Sequence, residues 1–133
     1  MGCEEEEKQT GGAEYGLSES NIREILDQTC PEATHSLSVR LGDLLIVGVP
    51  GEMAAQLGLS VKAQVRQATG VRHVVIGGLA DEWISYILSA EEYTKGGGYE
   101  ASMSFYGPTL GKVMVEGATR SGARLRPVKS SGE

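Results

Sequence analysis

The sequence predicts an α/β fold: a small mixed sheet with flanking helices, incomplete by itself. Three observations carry that expectation. Leu37, Val39 and Leu41 alternate with Ser38 and Arg40, and after Gly42-Asp43 the run 44–49 is apolar throughout, so two strands flank a two-residue turn. Met53, Leu57, Val61 and Val65 recur every fourth residue, the period of a helix with one apolar stripe. The stretch 71–76 then reads as another strand, so strands and helices alternate along the chain.

Each element has a local cause. Residues 1–16 hold the acidic run Glu4 to Glu7 and several glycines, a composition that predicts a flexible tail. In 18–28, Ile22, Ile25 and Leu26 fall at helical spacing, Ser18 or Ser20 suits the N-cap, and Pro31 stops the helix. The second strand of the hairpin is the more apolar and so the more central. Gly58 weakens the helix that follows and Gly70 closes it. Gly77-Gly78 ends the next strand, and 83–88 is a further strand or extended segment. Ser89 with Glu92 three residues later forms a capping box for a short helix through Lys95, which Gly96-Gly97-Gly98 terminates. Pro108 sits near the first turn of a final helix with Leu110, Val113, Met114 and Gly117 on one face. The expected organisation is a tail over 1–16, a folded part over 17–120, which the resemblance described below makes a partial catalytic domain, and a second tail over 121–133. Three or four strands with helices mostly on one side leave a face or an edge uncovered.

Composition excludes several classes of function. The chain has 133 residues, 40% hydrophobic and 23% charged, which suits one globular domain with a modest core. Its formal net charge of −6 gives no general attraction to nucleic acid or anionic membranes. No stretch has the length of a transmembrane helix. The start has no apolar h-region of a signal peptide, so a cytoplasmic location is the default expectation, although an intact relative could be secreted or membrane-associated. Two cysteines, Cys3 and Cys30, do not make a disulfide framework.

The chemistry concentrates at Val49-Pro50-Gly51-Glu52. An apolar strand delivers a carboxylate at its C-terminal end, where sites of α/β proteins gather. Pro50 fixes its φ and Gly51 permits a sharp turn, so Glu52 is held in place. Read locally, Glu52 is a first-turn acid facing the dipole of the next helix. His35 and His73 are far apart, and no spaced set of His, Cys, Asp and Glu makes a complete zinc site. Asp81 and Glu82 mark a turn beside Trp83. Four of the five tyrosines lie between Tyr86 and Tyr106, around the glycine run, where they line a cleft or pack together.

The segment 41–52, reading Leu-Gly-Asp-Leu-Leu-Ile-Val-Gly-Val-Pro-Gly-Glu, resembles the strand and Pro-Gly-Glu motif of the neutral, or alkaline, ceramidases. Ile84-Ser85-Tyr86-Ile87, Glu91-Glu92-Tyr93, Gly98-Tyr99-Glu100-Ala101-Ser102 and Tyr106-Gly107-Pro108 resemble the same family in the same order. The resemblance spans residues 37–118 and implies the C-terminal part of that family's catalytic domain. It implies a zinc-dependent amidohydrolase that cleaves the N-acyl amide of ceramide-like lipids to a sphingoid base and a fatty acid. Zinc in that family is held by two histidines from earlier in the catalytic domain, a glutamate and a tyrosine. The glutamate corresponds to Glu52 and the tyrosine to Tyr86, which also acts on the oxyanion. Tyr99 and Glu100 fall at the rim of the substrate cleft. Neither His35 nor His73 falls on a histidine motif of the family. The resemblance therefore implies half a metal shell, completed by an upstream catalytic segment. The alternative is a non-catalytic α/β binding or structural module, a truncated or decayed copy of the same fold.

Overall fold

The computed structural model describes residues 30–96 and 98–126, with 24, 26 and 28. The expected tail 1–16, the helix start at Ser18 or Ser20, Gly97 and the tail residues 127–133 lie outside the described residues. Glu24, Leu26 and Gln28 are helical, and the Cys30 N–H donates to the Leu26 carbonyl at 2.8 Å. Cys30 is disulfide-bonded.

Strand β1 (Leu37–Leu41) turns through Gly42-Asp43 into β2 (Leu44–Gly48), antiparallel, with Leu41 opposite Leu44. Gly42 has a φ of +60°, where a residue with a Cβ is strained. The two-residue strand β3 (Glu52–Met53) precedes α1 (Ala55–Thr69). The chain returns through β4 (His73–Gly77) and β5 (Tyr86–Ile87). It ends in α2 (Ala90–Lys95), α3 (Tyr99–Ser102) and α4 (Leu110–Ala123). The strands form a three-stranded sheet, β1-β2-β4, and a two-stranded one, β3-β5. β2 and β4 are parallel, which requires a crossover, and α1 supplies it. This is the small mixed sheet with flanking helices that the sequence predicts.

One face of the larger sheet carries Leu45, Val47 and Val74, all buried against Val61 and Val65 of α1 and against Leu110, Met114 and Ala118 of α4. A fully buried Val or Leu stabilises by about 1.5–3 kcal/mol, so this layer is the main source of stability. Asp43 pins the start of β4: its carboxylate accepts the Arg72 backbone N–H at 3.0 Å and pairs with the Arg72 guanidinium at 3.0 Å.

Three expectations are corrected. The helix begins at Ala55, not at Met53, and its first turn contains no acid, so Glu52 is not a dipole-facing residue. The cause is competition from a ladder: the N–H groups of Glu52 and Ala54 each donate at 2.9 Å, to the carbonyls of Ser85 and Ile87. The inner face of α4 is Leu110, Gly111, Met114, Ala118 and Gly122, whereas Val113 is exposed. Glycine sets that face because the helix comes too close for a side chain. A Cβ on Gly111 would overlap the Leu88 carbonyl, and one on Gly122 would lie 2.9 Å from Val65 Cγ2. The same helix continues to Ala123, past the expected boundary at 120. Ser121 Oγ donates to Ser38 Oγ at 3.0 Å, and the Arg40 guanidinium donates to the Leu125 carbonyl at 2.9 Å.

The capping box is present as expected. Ser89 Oγ accepts the Glu92 N–H at 3.2 Å, while the Glu92 carboxylate accepts the Ser89 N–H at 3.0 Å. Those bonds from the Ser89 backbone and side chain hold the Glu92 carboxyl below its ordinary range. A depressed folded-state value means its stabilising contribution is present above the unfolded value of 4.5 and is lost as pH falls through the lower native one. Ser89→Ala is expected to cost about 1 kcal/mol in chemical denaturation at pH 7. The difference from the parent chain should shrink as the pH drops below 4.5.

Candidate functional site

β3 and β5 run parallel with Glu52 opposite Tyr86 and Met53 opposite Ile87. In a parallel pair, residues in register present their side chains on the same side of the sheet, so the Glu52 carboxylate and the Tyr86 phenol stand side by side. Glu52 is exposed and Tyr86 half-buried, so the pair opens to solvent at the sheet edge.

Backbone bonds hold this edge along its length. The Ile84 N–H donates to the Pro50 carbonyl at 2.8 Å and the Leu79 N–H to the Gly51 carbonyl at 3.2 Å. Ser85, wholly buried with a φ of +64°, donates from Oγ to the Met103 carbonyl. Ser104 Oγ donates to the Tyr86 carbonyl at 3.0 Å. Loop 78–85 and residues 103–104 thus clamp β5 from both sides. A non-glycine residue at positive φ persists only where its surroundings over-determine it. In the sequence Ser85 stood out only as the neighbour of Tyr86 in the Ile84–Ile87 motif, and nothing marked Ser104.

Tyr99 meets Tyr86 edge-on, ring centroids 5.7 Å apart at 84°. The Tyr86 phenol is pushed above its ordinary value, first by partial burial, then by its bond to Glu52, then by negative charge from Glu52, Tyr99 and Glu100. It is therefore protonated at neutral pH. Of the tyrosines between 86 and 106, Tyr93 and Tyr106 are buried. Burial first, then Glu82, raises the Tyr106 phenol, whose hydroxyl donates to the Pro31 carbonyl at 3.2 Å. Those two pack; Tyr86 and Tyr99 flank the carboxylate.

The histidines do not join the site. His35 pairs with Asp81 at 2.7 Å and faces Glu82 at 3.6 Å, an exposed cluster in which Thr34 Oγ1 also donates to Glu82 at 2.5 Å. His73 opens β4 at the end of the strand away from loop 78–85. Among the described residues, no group of three or more His, Cys, Asp and Glu is arranged to hold a metal ion. Glu52 and Tyr86 give two hard oxygen donors on one edge, which fits part of a metal shell and not a whole one. A cleft of about 380 Å³ between α1 and α4 is lined by Leu57, Gln64, Ser89, Lys112 and Glu116 among others, and neither Glu52 nor Tyr86 borders it. Among the described residues, no helix is long and apolar enough to cross a membrane.

The chain matches a known family. Residues 17–116 match the family model described as neutral/alkaline non-lysosomal ceramidase, N-terminal, and the chain belongs to that family. The matched model is the family's N-terminal domain, which corrects the expected placement in a C-terminal part of the catalytic domain. The chain is 36% identical over 72 residues to the neutral ceramidase of Pseudomonas aeruginosa, a match covering 52% of this chain and 11% of that protein. Neutral ceramidase 1 of Arabidopsis thaliana is 37% identical over 79 residues, covering 53% of this chain and 10% of that one. The solved structure of a ceramidase complexed with C2 superposes with a TM-score of 0.61 at 29% identity, covering 72% of this chain and 16% of that one. The chain thus spans about a tenth of the length of these relatives.

Proposed function

We propose that this chain supplies part of the active site of a zinc-dependent amidohydrolase that cleaves the N-acyl amide of ceramide-like lipids to a sphingoid base and a fatty acid. The observation that carries it is the register placing Glu52 opposite Tyr86 in a chain that belongs to the ceramidase family. Glu52 and Tyr86 would hold the ion, and the remaining ligands come from an upstream catalytic segment outside this chain. When bound, zinc supplies Lewis acidity to the amide carbonyl and acidifies a water.

The chain's own residues do the rest. The Glu52 carboxylate would offset cationic charge beside the phenol. The Tyr86 hydroxyl would direct its one proton to the oxyanion that develops as the amide is attacked. Tyr99 fixes the ring of Tyr86 edge-on, and Tyr99 with Glu100 forms the rim of the cleft.

The test is hydrolysis of an N-acylsphingosine, with and without zinc and the upstream segment. The isolated chain is expected to be inactive and to bind zinc weakly, because two protein ligands hold the ion poorly. In the completed enzyme, Tyr86→Phe is expected to lower kcat by about 10²–10³-fold, with a smaller effect on zinc content by elemental analysis. Full activity of the isolated chain, or an inert complex that binds zinc tightly, overturns the proposal.

A further inference from the structure

We infer that Ser104 is a positioning residue for Tyr86: with Ser85 it ties the short helix α3 to strand β5 and so sets the phenol ring against Tyr99. The inference rests on the reading that Tyr86 acts on the substrate, and it adds what holds that side chain in place. On β5, the carbonyls of Ser85 and Ile87 accept from the Glu52 and Ala54 N–H groups of the neighbouring strand segment, both at 2.9 Å. Successive carbonyls of a strand point to opposite edges. The Tyr86 carbonyl therefore faces the other edge, where this two-stranded sheet has no third strand. Ser104 takes that place, its Oγ donating to the Tyr86 carbonyl at 3.0 Å. Ser85 answers from β5 by donating from Oγ to the Met103 carbonyl. The two bonds are reciprocal, between neighbouring pairs of residues 18 positions apart in sequence. Both hydroxyls belong to buried residues, where a low dielectric strengthens such bonds.

The other end of the tie is α3. A helix of four residues does not hold itself, because the first turn is costly to form. Its N-terminal side gives little support: Gly98 makes no side-chain cap, and Gly96 and Gly98 have φ of +61° and +86°. Its C-terminal side runs straight into the tie, with the Met103 N–H donating to the Tyr99 carbonyl at 3.1 Å. Hydrogen bonds thus connect Tyr99, through residues 103–104, to the backbone of Tyr86. The two rings meet edge-on, with centroids 5.7 Å apart. Without the Ser104 hydroxyl the Tyr86 carbonyl loses this partner, and α3 can shift against β5.

The first readout is the ring-to-ring nuclear Overhauser effect between Tyr86 and Tyr99 in the full 133-residue chain, which needs neither zinc nor hydrolysis. Ser104→Ala is expected to lose it, and Ser104→Thr, which keeps the hydroxyl, to retain it. Thr69→Val is the control. It removes another buried hydroxyl that donates to a carbonyl, at the far end of α1, and should leave the effect unchanged. The second readout is kinetic, in the completed enzyme. The phenol acts on an oxyanion that develops only in the transition state, so its misplacement falls on kcat. Ser104→Ala is expected to lower kcat by about 10–100-fold, the effect of a displacement of roughly 1 Å, and to change KM by less than about 3-fold. Ser104→Thr should recover most of kcat, and Thr69→Val should keep it.

If Ser104→Ala does not fold, Ser104→Cys, whose thiol is a weak donor, takes its place with the same expectations. An Overhauser effect that survives in the folded Ser104→Ala chain overturns the inference. Equal losses of kcat in Ser104→Ala and Ser104→Thr overturn it too, because the hydroxyl is then irrelevant. So do equal losses in Ser104→Ala and Thr69→Val, which make the role of Ser104 merely structural. A parent complex that never hydrolyses, built on a chain whose Overhauser effect depends on the Ser104 hydroxyl, counts against the proposed function alone. An active parent whose Ser104→Ala variant keeps its kcat counts against the positioning role alone.

Discussion

Replacing Gly51 by alanine is expected to destabilise the chain by about 3 kcal/mol or more, a large part of a small domain's total stability. The added Cβ would overlap the backbone oxygen of Ser85 and stand 3.1 Å from both Ile84 Cγ1 and Ile87 Cδ1. That oxygen accepts the Glu52 N–H at 2.9 Å, and the Gly51 carbonyl accepts the Leu79 N–H. Backbone cannot move aside as a flexible side chain can. Relief therefore requires β3 and β5 to separate, which breaks ladder bonds and parts Glu52 from Tyr86. Gly77→Ala is the control, since a Cβ there meets nothing within 4 Å and alanine lowers the entropy of the unfolded chain. Urea denaturation of both variants decides the matter. If Gly51→Ala unfolds at the midpoint of Gly77→Ala, the close approach at Gly51 does not govern stability.

The same position shows what the sequence could and could not reveal. The Pro-Gly-Glu run at the end of an apolar strand marked the turn and its carboxylate. The hairpin at Gly42-Asp43, the Ser89–Glu92 capping box and the crossover helix were legible too, because each is set by residues adjacent in sequence. Tyr86 was found through resemblance to a family, not through local chemistry. Its pairing with Glu52 depends on a two-residue ladder 34 positions apart in sequence, and no periodicity describes so short an element. The inner face of α4 was misread for a related reason. Hydrophobic pattern ranks Val113 above glycine, yet the close approach of the Leu88 backbone selects Gly111. The four-residue helix that carries Tyr99 was hidden by the glycine run, which reads only as a stop. The clamp by Ser85 and Ser104 is made of side-chain bonds to distant carbonyls, for which sequence offers no signal.

In the completed enzyme, Glu52→Gln is expected to reduce kcat/KM for an N-acylsphingosine by at least about 100-fold, or ~2.7 kcal/mol of transition-state stabilisation. Glutamine keeps the size of the side chain and an oxygen that can accept from Tyr86, so the fold should be unaffected at this exposed position. What it removes is the negative charge, and charge is what a carboxylate brings to a cation. Zinc content should therefore fall together with activity. Glu100→Gln makes the informative comparison. Glu100 is also exposed and adds only to the field at Tyr86, and the Coulomb effect of an exposed group is small in high dielectric. Its loss should lower kcat/KM by less than about 10-fold and leave zinc content unchanged. The two variants thus separate a ligand from a rim residue by metal analysis as well as by rate. Equal losses of activity in both, with full zinc retained in Glu52→Gln, would remove Glu52 from the metal shell and leave the pair with Tyr86 as a structural contact of the sheet edge.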